Sequence, residues 1–153
     1  MIFGHLAVST LVHHYLGADL KTVMAGGLFP DVVDKTLCQV LRVTPSGRMY
    51  AHTLLSVALS TSVVSMVWGR QKARAWMLGY LGHLAADGGG WLPLLYPFKQ
   101  YEFVGGEPSL FQIVQNALQR KVDMGIELVL MVWAACILGN LWSKRKDRAQ
   151  NHR

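Results

Sequence analysis

The stretch AHTLLSVALSTSVVSMVW, residues 51–68, carries no acidic residue and no lysine or arginine, and its one ionisable side chain is His52. Eighteen such residues rise ~27 Å as a helix, close to the ~30 Å of a bilayer's hydrocarbon. A run of this kind predicts a membrane span, and two further apolar runs follow it. One begins at Ala75 after GRQKAR and extends to Leu95, where Gly88, Gly89, Gly90 and Pro93 loosen or end its helix. The other covers residues 125–142, with Trp133 and Trp142 among them.

Charge placement points the same way. Charged residues make up only 16% of the chain and hydrophobic ones 52%, against roughly 25% charged in a soluble domain. The net charge of +6 is concentrated: Lys144, Arg145, Lys146, Arg148 and Arg153 follow the last apolar run, and Arg70, Lys72 and Arg74 form a short loop between the first two. Basic clusters at the ends of apolar runs read as cytoplasmic flanks of spans. No basic stripe or recognition motif supports nucleic-acid binding, and membrane lipids are the expected partners.

The N-terminal third differs. Residues 2–17 mix His5, Ser9, His13 and His14 with apolar side chains, and a shorter helix is expected over residues 19–29, with Gly26 and Gly27 near its end. This suits an amphipathic or re-entrant pair packed on the bundle. Pro30 is expected to break the helix and present Asp31 and Asp34 on a turn. Residues 99–123 read as a polar connection with an amphipathic helix around 109–120. The fold class is therefore all-α: a multi-pass helical membrane protein with about three transmembrane spans and an N-terminal helical pair, one domain over residues 1–143 and a basic cytoplasmic tail over 144–153. The start MIFGHLAVS lacks a basic stretch and is not read as a cleavable leader. Cys38 and Cys136 fit no CxxC spacing and read as two unpaired thiols.

Within YLGHLAADGGGW, His83 and Asp87 stand four residues apart, which places both on one helix face about 6 Å apart. His52 lies eighteen residues before Arg70, and Asp87 thirteen after Arg74. Antiparallel neighbours would bring His52 into the same half of the membrane as this pair. Ionisable groups in a span cost about 2.5–3.5 kcal/mol each, so they face a cavity and have a function. Imidazole and carboxylate together are ligands for zinc or manganese, and His5, Asp31 and Asp34 can join them. Polar packing between helices remains the structural alternative.

GHLAVS at Gly4, GGLFPDVVDK at Gly26, SGRMYAHTLL at Ser46 and GYLGHLAAD followed by WLPLLYPF occur in that order over about the first hundred residues. This combination resembles the family of membrane-bound, metal-dependent hydrolases related to the LexA-regulated inner-membrane protein YdjM. The resemblance implies an inner-membrane location and one or two divalent ions, with zinc expected, held by His5, Asp31, His52, His83 and Asp87. It also puts Asp34 and Arg48 beside the same motifs; Asp34 is then expected as a general base, and Arg48 either as an anion clamp or as a side chain that snorkels towards head groups. Many members carry a histidine before the arginine of the third motif, where this chain has Gly47, and a threonine after HxxxD, where it has Gly88 to Gly90. The HxxxD element is similar to one in zinc-dependent phospholipase C enzymes, which implies an ester, phosphoester or lipid head group as substrate. A transporter or metal-ion carrier, and a purely structural membrane protein, are the alternatives.

Overall fold

The computed structural model describes residues 4–88, 92–103, 125, 128–137 and 139. Among these the protein is all-helical. Helix α1 spans Gly4–Leu16, α2 Leu20–Lys35, α3 Leu54–Trp68 and α4 Arg70–Ala86, and one π-helical turn, Thr36–Val40, extends α2. Residues 128–137 are also helical. The expected amphipathic helix near 109–120 and the basic tail lie outside the described residues.

Helices α2 and α4 form the central contact, and α1 and α3 pack on either side of α4. Small residues set the spacing. A Cβ added at Gly79 would run into the Val23 carbonyl, and one added at Gly26 into the Trp76 carbonyl, so backbone meets backbone here. Around this crossing lie buried Val57, Tyr80 and Leu84, with Phe29, Trp76, Met77 and Leu94 packed against them.

That close contact bears on Pro30, which does not end the helix as expected: it is buried inside α2, which runs five residues further. A helix-interior proline forfeits one backbone hydrogen bond and crowds the carbonyl four residues back. Packing against α4 offsets that cost, so Asp31 and Asp34 stand on the last turns of a helix rather than on a loop.

Three further boundaries differ from expectation. Thr53 has extended backbone, and its hydroxyl oxygen accepts the Ser56 N–H at 3.0 Å, so α3 begins at Leu54 and His52 stands outside it. Gly69, at φ 84°, breaks the chain between α3 and α4, which makes Arg70, Lys72 and Arg74 the first turns of α4 instead of a loop. At the other end α4 stops at Ala86, before the glycine run, with Asp87 as its cap.

No helix among the described residues is long and apolar enough to cross a membrane. With fifteen residues α3 rises only ~22 Å. It is nonetheless apolar on its outside, where Leu59, Val63, Met66, Val67 and Trp68 are exposed; Leu128, Val129, Val132 and Trp133 form a similar face on 128–137.

Candidate metal centre

The start of α1, the end of α2, the turn before α3 and the end of α4 meet at one end of the bundle. His5 comes from α1, Asp31 and Asp34 from α2, His52 from the turn, and His83 and Asp87 from α4. Apart from Asp31, which is partly covered, all of these are buried.

Three imidazoles aim the same nitrogen inward. His83 Nε2 lies 3.3 Å from His52 Nε2, and the His5 and His83 rings stack with centroids 4.0 Å apart. Asp31 Oδ1 is 3.7 Å from His52 Nε2 and 3.9 Å from His83 Nε2. Asp87 divides its oxygens: Oδ1 lies 3.5 Å from His5 Nε2, while Oδ2 lies 3.8 Å from His52 Nε2 and 3.9 Å from His83 Nε2. Two groups close enough to hold a metal ion result, His5 with His83 and Asp87, and Asp31 with His52 and His83. They share His83.

The donor set fits a divalent transition metal. Ligands ~2.0–2.1 Å from a tetrahedral ion stand about 3.3 Å from one another, near the shortest separation here. Three neutral imidazole nitrogens with two carboxylates suit zinc, manganese or iron(II). His83 directs a single nitrogen into the cluster and is common to both groups, so the two groups overlap at its Nε2.

His52 owes its orientation to Asp34. The Asp34 carboxylate is fully buried and accepts from Met49 N at 2.8 Å, Ala51 N at 2.9 Å, His52 N at 3.2 Å and His52 Nδ1 at 2.8 Å. The His52 Nδ1–H bond fixes the tautomer and leaves the Nε2 lone pair facing the cluster. Asp34 was expected as a general base; with both oxygens engaged by buried donors, it is placed to organise the 49–52 turn instead. Among the described residues no such group stands behind His5 and His83, whose buried Nδ1 atoms find no hydrogen-bond partner there.

Two cations border the centre. Lys35 Nζ lies 2.7 Å from Asp31 Oδ2 and Arg48 Nη2 3.1 Å from Asp87 Oδ2. Burial acts to raise the Asp31 pKa, but the Lys35 hydrogen bond and charge, with His83 and His5, hold it below the ordinary carboxylate value. Burial lowers His5 below the usual histidine value, against the opposing pull of Asp87 and Asp31. The neutral imidazole that a metal requires is thus the favoured form of His5.

Other residues singled out in the sequence stand elsewhere. His13 Nδ1 is 2.6 Å from the Ala18 carbonyl, closing the end of α1, and His14 is exposed with its ring edge-on to Tyr15. Tyr80 went unnoticed in the sequence, yet its hydroxyl lies 2.6 Å from the Ala51 carbonyl and 2.9 Å from Ser56 Oγ, tying α4 to the turn that carries His52. Its signal was a tyrosine one turn before His83, on the inner face of the helix.

No curated protein and no solved structure is significantly similar to this chain. The family model described as YdjM inner membrane protein matches residues 1–147, and the chain belongs to that family of inner membrane proteins.

Proposed function

We propose that this chain is a membrane-bound metal-dependent hydrolase acting on an ester or phosphoester, with a lipid-linked substrate as the favoured class. The observation that carries the reading is the convergence of three imidazole Nε2 atoms and two carboxylates, almost wholly buried, at one end of the bundle. A divalent ion there, zinc in the first instance, supplies a nucleophile from water near neutral pH and polarises the bond under attack. His5, Asp31, His52, His83 and Asp87 would hold one or two such ions. Asp34 orients His52 rather than taking a proton, and Arg48, half-buried at the rim, meets the anionic part of the substrate.

The same reading makes the chain multi-pass. The apolar outer faces of α3 and of 128–137 support contact with lipid. Arg70, Lys72 and Arg74 stand at the end of the bundle opposite the centre, so the positive-inside rule sets the centre towards the outer face of the membrane. A reporter fused after Arg153 tests the topology, and an extracytoplasmic signal there overturns this orientation.

Function is tested by the metal content of the purified protein beside Asp87→Ala and His83→Ala variants, with folding checked in each, followed by ester and phosphoester hydrolysis by the loaded parent. Stoichiometric metal in the parent, lost from folded variants, together with turnover of one of these substrates, is the expected result. A parent that takes up no metal after supplementation turns the cluster into helix-packing residues and ends the enzyme reading. A loaded parent that turns over neither substrate class leaves a metal site with another purpose, such as ion transport.

A further inference from the structure

The two cations at the rim are bonded in different ways. Lys35 holds Asp31 Oδ2, and the oxygen that Asp31 turns to His52 and His83 is the other one, Oδ1. Lys35 and an ion can therefore share Asp31 without competing for an atom. Arg48 instead holds Asp87 Oδ2, the same oxygen that faces His52 and His83. An ion bound by these histidines and Asp87 Oδ2 contends with the guanidinium for one oxygen, and the two positive charges repel at short range.

Resting on the metal-centre reading above, we propose that Arg48 exchanges partners on loading: it holds Asp87 in the metal-free protein and, once an ion takes that oxygen, turns to a phosphate group beside the ion. Three features support the exchange. The Arg48 side chain is 38% exposed while that of Asp87 is 4% exposed, so Arg48 reaches from the surface into the cluster. Its backbone N–H donates to Ser46 Oγ at 3.1 Å, which anchors the turn that carries the side chain. A guanidinium offers a planar fork of donors matched to two phosphate oxygens. Arg48 thereby couples metal loading to anion recognition.

The test uses the full-length, detergent-purified protein and two titrations: zinc against a chelating dye, and inorganic phosphate against the zinc-loaded protein. Arg48→Ala removes the competitor, so zinc binds about tenfold more tightly, while phosphate binds about 10–100-fold more weakly. Arg48→Lys retains the charge without the fork, so zinc affinity stays near the parent's and phosphate is still weakened. Lys35→Ala changes zinc affinity without the tightening seen in Arg48→Ala. Opposite movement of the two affinities in Arg48→Ala supports the exchange. Zinc affinity that is unchanged or weaker in Arg48→Ala, unchanged phosphate affinity, or equal tightening in Lys35→Ala overturns it while leaving the metal centre intact. Failure of the parent to bind zinc overturns the exchange and the metal centre together.

Discussion

Replacing Asp34 separates an organising carboxylate from a catalytic one. In Asp34→Ala four donors lose their acceptor: the amides of Met49, Ala51 and His52, and His52 Nδ1. These residues are buried, and His52 is fully so. A buried donor left unsatisfied costs about 1–3 kcal/mol. If water reaches half of them, the loss is still roughly 2–6 kcal/mol, a large part of the 5–15 kcal/mol that separates a typical folded domain from its unfolded state. Asp34→Asn keeps the shape and one accepting oxygen but gives up the charge, with an expected loss of about 2–3 kcal/mol. The amide oxygen still accepts from His52 Nδ1, but the ring becomes less basic, and metal affinity falls about 10–100-fold. Denaturant unfolding of the metal-free protein, followed by tryptophan fluorescence, measures the first effect, and a zinc titration of Asp34→Asn measures the second. An Asp34→Ala protein within about 1 kcal/mol of the parent, or an Asp34→Asn protein with the parent's zinc affinity, would refute the reasoning.

Three further outcomes are expected. His83→Ala abolishes metal binding because His83 belongs to both ligand groups, whereas His5→Ala weakens it and leaves the group of Asp31, His52 and His83 in place; equal losses in equilibrium dialysis contradict the shared role of His83. Gly79→Ala places a methyl against the Val23 carbonyl, where backbone has no rotamer to yield, and destabilises the fold by about 1–3 kcal/mol or more; a melting temperature equal to the parent's dismisses the close α2–α4 contact. The folded pKa of His5 lies below its unfolded value of 6.5 because of burial. The unfolded chain then binds more protons as pH falls, so this contribution to metal-free stability is present above pH 6.5 and lost progressively below it. His5→Gln should flatten that part of the stability curve between pH 7 and 5.

How much of the centre was legible depends on sequence distance. His83 and Asp87 follow from helical periodicity, and the meeting of His52 with them from counting outward from the basic residues around Arg70. The part played by Asp34 was hidden, because its partners lie 15 to 18 residues ahead on a turn with no regular pattern. Its position three residues after Asp31 marked it as a candidate ligand or general base, not as the support of His52. Arg48 was placed near the site by its motif, but its grip on the metal-facing oxygen of Asp87 is a matter of tertiary contact.

The sequence by itself determined that the chain is helical and apolar and which residues can bind a metal. These are local properties, set by propensity, capping and ligand chemistry within a few residues. Only the tertiary structure decided that α2 continues through Pro30, that α3 begins after His52, and that Asp34 supports the centre from behind. Each of these depends on a surface supplied by a distant segment: the α4 backbone against α2, or the 49–52 amides around one buried carboxylate. A proline's lost hydrogen bond and a carboxylate's burial are unfavourable locally, and contacts made elsewhere in the chain determine whether they are tolerated.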